Sequence, residues 1–333
     1  MHVPKLISNS KESQMFFELL LTSFAGILKV FFIGILGAAV LGGIRIKQSF
    51  LDALSTLFVR ITLPCLIFTN MVKQFRPEEV DRWWVFPLLG IGLFLAGGLL
   101  AYGYLFIDTT VKYKGIFTSS VAFHNSIILP LAIAPVLFSP GRLERFLSLL
   151  FLYNLLAVPA FFTVGVWLVN ASSGMKRSLA HVINPPNIAT IGGLLFACCG
   201  LHMYLPNWLM NPLEMFGSLT TPLSMIIVGG IILVSIPNAR GKEWAEPVKI
   251  MFLKSILLPG IVCLFVCTFK PPEYIGLFLI LGSAMPVGST LAVICPSQKS
   301  MQKMVAGGIL LSSIASIVAM PVFIGVYGMV YQW

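Results

Sequence analysis

The sequence predicts an all-α polytopic membrane protein, with ten transmembrane helices in two inverted five-helix repeats. Three observations predict it. The composition suits lipid, ten long apolar stretches follow one another with short polar breaks, and three prolines recur at a nearly constant offset in corresponding stretches.

Hydrophobic residues make up 57% of the 333 and charged residues only 10%, with a mean hydropathy of +0.93. Soluble domains carry about 25% charged residues. A surface this poor in charge would aggregate in water but suits a bilayer, where outward side chains are apolar. The formal net charge of +10 is scattered in ones and twos between apolar stretches. No basic patch interleaved with aromatics appears, which argues against nucleic acid as a partner; the lipid bilayer is the expected one. Residues 1–14 are polar, and the apolar run from Met15 to Ile44 is far longer than the roughly 7–15 residues of a signal-peptide core. It is read as a helix. The cysteines (Cys65, Cys198, Cys199, Cys263, Cys267, Cys295) form no CxxC pair, so they are expected to pack and not to bind metal. No cofactor or metal is expected.

A helix needs about 20 mostly apolar residues to cross the hydrocarbon core. Such spans fall at about 24–44, 50–72, 84–107, 115–138, 146–169, 185–204, 212–236, 247–268, 273–295 and 304–330. Residues 1–23 form a tail and an interfacial segment, or extend the first helix. The first repeat covers 24–169, the segment 170–184 is a central cytoplasmic loop, and the second repeat covers 185–333. The runs do not alternate, which argues against a closed barrel. Of the 22 Lys and Arg, three lie within spans (Lys29, Arg60, Lys254), eleven flank one side and eight the other. That bias puts both termini outside. Short loops point to a cell membrane, inner or plasma.

Pro64 in span two corresponds to Pro222 in span seven, Pro130 in span four to Pro286 in span nine, and Pro159 in span five to Pro321 in span ten. Three matches in order suggest an internal repeat. With five spans per half, the second half must insert upside down. Inverted repeats are the architecture of many secondary transporters, whose sites lie near the midplane at discontinuous helices. Spans four and nine are the candidates. Each brings a proline together with polar side chains: His124, Asn125, Ser126 and Pro130 in one, Pro286, Ser289 and Thr290 in the other. A mid-span proline frees backbone groups, which lipid tolerates only inside protein or beside a wet cavity. Half-helix N-termini meeting there would favour an anion.

Leu63-Pro64-Cys65-Leu66-Ile67-Phe68, Asn125-Ser126-Ile127-Ile128-Leu129-Pro130, Ala284-Met285-Pro286 and Thr221-Pro222 with Ile226 to Gly230 resemble the auxin efflux carrier family, from about Gly26 to the end. The resemblance implies a scaffold of spans one, two, six and seven and a transport domain from the rest. It implies that spans four and nine cross at Pro130 and Pro286 beside the substrate, with Asn125 as a ligand. It also implies small organic anions, including auxins and dicarboxylates, as substrates. The Asn-to-Pro spacer in span four is shorter than in many members, and the long hydrophilic central loop of some plant members is missing.

Each polar residue has a plainer role to weigh. Asn125 could instead bond a neighbouring helix. His124 could couple transport to protons or cap a carbonyl. Ser126, Ser289 and Thr290 could line a site or bond back to their own helices. Lys29 reads as snorkelling to the interface, and Arg60 could do the same toward the inner face. Lys254, five residues before Pro259, is expected to replace a coupling cation or attract the anion. No Asp or Glu stands at mid-depth in spans two to five or eight to ten, which disfavours a carboxylate relay. A proton or sodium as coupling ion and a homodimer as assembly are left open. The rival readings are a bile-acid/sodium symporter-like carrier of the same fold, a channel, and an intramembrane enzyme. The last has no supporting motif among the histidines.

Overall fold

A computed structural model of the chain describes residues 3–42, 48–79, 82–171, 185–238, 244–295 and 299–331. Most of the predicted central loop lies outside these residues, as do Arg45, Lys47, Lys176, Arg177, Arg240 and Lys242 from the charge count.

The chain is helical wherever its apolar runs are long. Helix α1 covers Val3–Gly42, so the segment before the first span extends that helix. Next come α2 (Gln48–Leu57), a wide π turn at Phe58–Thr62, and α3 (Leu63–Gln74). Helix α4 covers Val85–Ile107. Helices α5 (Lys114–Ala122) and α6 (Ile128–Leu137) are separated by a non-helical break. Helix α7 (Pro140–Ala160) runs through a π turn at Phe161–Gly165 into α8 (Val166–Ala171). The second half begins with α9 (Pro185–Cys198), α10 (Asn207–Ser218) and α11 (Thr220–Asn238). Helix α12 (Ala245–Phe252), a π turn at Leu253–Leu257 and α13 (Leu258–Phe269) follow. Helices α14 (Glu273–Ala284) and α15 (Thr290–Ile294) flank the second break, and α16 covers Lys299–Tyr331. Among the described residues there is no β-strand, only one isolated bridge.

Seven described helices are long and apolar enough to cross a membrane, where the sequence predicts ten spans. The other three positions hold shorter apolar helices: Ile128–Leu137, Pro185–Cys198 and Glu273–Ala284. Two of these are halves of the interrupted spans four and nine. The predicted starts at 146 and 212 are late. Helix α7 opens with Pro140 in its first turn, and α10 follows Pro206 at its N-cap. Proline's fixed φ suits a helix start, where the missing N–H has no intrahelical acceptor.

Large apolar side chains face outward along the helices. Leu99 and Leu264 are each 70% exposed and Trp208 is 76% exposed, a surface that only lipid can cover without cost. Inside, α1 packs on α11 and α16, α3 on α9 and α10, α4 on α5 and α7, and α16 on α12 and α14.

The crossing of α1 and α11 depends on two glycines. A Cβ on Gly34 would lie 2.3 Å from the Met225 carbonyl oxygen, and one on Gly229 would lie 2.0 Å from the Gly34 carbonyl carbon. Backbone touches backbone there, an approach that small residues permit between membrane helices. Rigid backbone cannot yield as a flexible side chain does. Gly229→Val is therefore expected to destabilise the protein by about 3 kcal/mol or more. Gly92→Ala, at a position with open space around its Cβ, should be tolerated. Thermal unfolding in detergent checks this, and equal melting temperatures for the two variants would refute the tight crossing.

Candidate functional site

The two breaks, Phe123–Ile127 and Met285–Ser289, lie against each other as a two-residue antiparallel bridge between His124 and Val287. The Asn125 N–H donates to the Pro286 carbonyl at 2.9 Å, and the Gly288 N–H donates to the Phe123 carbonyl at 3.0 Å. The Val287 N–H donates to Ser312 Oγ of α16 at 3.1 Å. Each break thus supplies partners for backbone groups that its own helix no longer satisfies. Gly288 is small for a reason: a Cβ there would come within 3.2 Å of the His124 carbonyl oxygen. Pro286 stands in its break. Pro130 does not; it occupies the first turn of α6, so the backbones cross at His124 and Val287, ahead of that proline.

Side chains fix the first break from behind. Asn154 Nδ2 of α7 donates to the Ser126 carbonyl at 3.0 Å and to its own Leu150 carbonyl at 2.9 Å. The Tyr153 hydroxyl and His124 Nε2 share a hydrogen bond of 2.8 Å, and Phe94 packs edge-on against the His124 ring. The Asn125 Oδ1 accepts from the Leu129 N–H at 3.3 Å, so this side chain closes the first turn of α6. Its Nδ2 has no partner among the described residues.

On one side of the crossing is a cavity of about 380 Å³. Its polar wall holds His124, Asn125, Ser126, Gly288, Ser289 and Thr290; its apolar wall includes Phe58, Leu63, Phe94, Ala157 and Phe161. The hydroxyls of Ser126, Ser289 and Thr290 make no hydrogen bond among the described residues. Arg60, exposed in the first π turn, also lines the cavity. Pro185 and Pro186 at the start of α9 and Val158 in α7 are also part of the lining.

Lys254 is elsewhere. It is fully buried in the third π turn, among α4, α5, α14 and α16, and does not line the cavity. The turn packs against α5 and α14, the helices that end at the two breaks, and the Lys254 Nζ has no hydrogen-bond partner among the described residues. An unpaired ammonium inside a membrane helix costs about 2.5–3.5 kcal/mol or more.

The polar wall is thus the part of the cavity that the sequence marks; Phe58, Phe94 and Phe161 carry no signal there beyond hydrophobicity. Arg60, expected to snorkel toward the inner face, instead lines the cavity, and Pro64, four residues on, is the sequence feature that opens the helix there. A second, separate cavity of about 300 Å³ is lined by Thr110, Lys112, Tyr113, Glu246, Lys249 and Ser300. There Lys249 Nζ pairs with Asp108 at 2.5 Å, and this ammonium and two hydrogen bonds from Thr110 hold the Asp108 carboxyl well below the usual carboxylate range. Among the described residues no His, Cys, Asp or Glu cluster could hold a metal ion.

Long apolar helices enclosing a cavity built on two broken ones are the features of a membrane transport protein. The family model described as membrane transport protein matches residues 21–181 and 171–324, and the chain belongs to that family, the auxin efflux carriers. Comparison with curated proteins returns no match. The chain is therefore an integral, multi-pass membrane permease.

Tyr153 and Asn154 hold the break without lining the cavity. Tyr153→Phe leaves the packing but strips a buried bond from His124, and Asn154→Leu strips one from the Ser126 carbonyl. Each should cost about 1–3 kcal/mol of stability, read as a lower melting temperature. Unchanged melting in both variants would show that the break holds itself.

Proposed function

We propose that the protein is a secondary transporter that moves a small organic anion, a carboxylate, by alternating access. Its site is the cavity at the crossing of the two broken helices. Asn125, Ser126, Ser289 and Thr290 bind the polar end of the substrate, and the start of α6 adds a helix dipole of favourable sign. Pro286 stands in the second break, and Pro130, in the first turn of α6, has no N–H to offer the Ser126 carbonyl and so keeps that helix from continuing back through the first break. The observation that carries this reading is the cavity itself: both breaks contribute to one wall, and the Ser126, Ser289 and Thr290 hydroxyls and the Asn125 Nδ2 there have no hydrogen-bond partner among the described residues.

The ten-span, inverted-repeat architecture belongs to the same proposal. Residues 24–169 form the first repeat and 185–333 the second, joined by 170–184, with both termini outside a cell membrane. The packing supports it by recurring between halves. Helix α3 packs on α9 as α11 packs on α1, α4 packs on α7 as α12 packs on α16, and α7 packs on α9 as α16 packs on α1. In this reading α1–α3 and α9–α11 are a scaffold, and the helices that carry the crossing move against it.

Lys254, buried, without a hydrogen-bond partner among the described residues and on a turn packed against α5 and α14, stands in for a coupling cation: it supplies the positive charge that a bound ion would bring. His124, tied to Tyr153 and lining the cavity, is the group through which a proton would couple.

A thermal-shift panel of small organic acids on the purified protein tests this reading. A carboxylate should raise the melting temperature of the wild type and lose most of that effect in Asn125→Ala. If only a neutral or cationic compound stabilises the protein through Asn125, the site stands and the anion falls. Lys254→Ala should reduce transport in proteoliposomes; unchanged rate and affinity would remove its role.

A further inference from the structure

We propose that Arg60 is the specificity-determining residue through which the cavity reads substrate charge, and that it selects a single negative charge. This rests on the organic-anion reading above and adds the residue and the valence.

The local chain explains why Arg60 faces the cavity. Pro64 has no N–H to give to the Arg60 carbonyl four residues earlier, so the helix cannot keep its regular bonding there. It widens instead into a π turn, with the Leu63 N–H reaching back five residues to the Phe58 carbonyl. Such a bulge shifts the side chains that precede it relative to those that follow, and bulges of this kind recur at functional positions. The result puts Phe58, Val59 and Arg60 on the wall of the same cavity that Asn125, Ser126, Ser289 and Thr290 line.

Charge bookkeeping gives the valence. Arg60 is the one Lys or Arg among the described residues that line the cavity, and no Asp or Glu is among them. Its guanidinium has no ion-pair partner among the described residues, although it stands inside an apolar span, Ser49–Gln74. A charge in such a place is held for a purpose or reaches water, and the cavity offers both. A planar guanidinium takes a carboxylate through two parallel hydrogen bonds, which an ammonium cannot do. With the first carboxylate held between Arg60 and the polar groups of the crossing, a second one on the same substrate would find no further cation among the described lining residues, and much of the remaining wall is apolar: Phe58, Leu63, Phe94 and Phe161.

Three probes of one body and different charge test this: phenylacetate, its neutral amide phenylacetamide, and the dianion phenylmalonate. Dissociation constants come from thermal-shift titration of the purified full-length protein. Wild type should bind phenylacetate about tenfold or more tighter than the amide, and tighter than phenylmalonate. Arg60→Gln and Arg60→Met should bring the acid-to-amide ratio to about one, while Arg60→Lys keeps part of it. A merely structural role would move the melting temperature of the free protein and leave that ratio alone. Should one neutral variant not fold, the other carries the comparison. A wild type that prefers the acid, with the preference kept in the neutral variants, overturns the role of Arg60 and leaves the anion reading standing. Tighter binding of phenylmalonate by wild type overturns the single-charge assignment. A wild type that does not distinguish acid from amide sinks the organic-anion reading, and this inference with it.

Discussion

Two interrupted helices inside a bilayer must find partners for the backbone groups that their breaks release, and here they find them in each other. The bonds from Asn125 to Pro286 and from Gly288 to Phe123 make each break a condition of the other. An unsatisfied backbone group in hydrocarbon costs several kcal/mol, so neither break is tolerable alone. Everything else at the centre follows from that pairing. Gly288 permits the approach, Asn154 takes up the Ser126 carbonyl and Ser312 the Val287 N–H, and the Asn125 side-chain Oδ1 closes the first turn of α6. The hydroxyls of Ser126, Ser289 and Thr290, with no partner among the described residues, stand beside the cavity.

Around this crossing the described helices are loosened in three further places, and each time a proline is near. The π turns at Phe58–Thr62, Phe161–Gly165 and Leu253–Leu257 lie next to Pro64, Pro159 and Pro259. The first two turns contribute Phe58, Arg60 and Phe161 to the cavity wall, and the third holds Lys254. The cavity is thus bounded largely by irregular backbone, which is where a membrane protein admits water and polar groups. Behind it the regular helices, α1 against α11 above all, approach backbone to backbone at Gly34 and Gly229.

The helical fold was legible because lipid imposes one solution on any long apolar run. The breaks in spans four and nine were legible because proline and clustered Ser, Thr, Asn and His are out of place there. Two things were not. The crossing was expected at Pro130, but a proline in the first turn of a helix costs nothing, so the break ends before it at Ile127. Lys254 was expected in the site because a buried cation in a span invites that reading. Whether a side chain turns toward a cavity or away from it depends on the rotation of its helix, and the π turn that carries Lys254 faces α5 and α14. The aromatic half of the wall left no mark at all in a chain where 12% of residues are aromatic.

The central claim is that the paired breaks form the substrate site. The most direct measurement is an experimentally determined structure of the protein with a stabilising carboxylate bound. The account predicts density for the acid between Asn125 and the Ser289–Thr290 hydroxyls, with the His124–Val287 bridge intact. Density in the separate cavity between Thr110, Glu246 and Ser300, with the crossing empty, would contradict it.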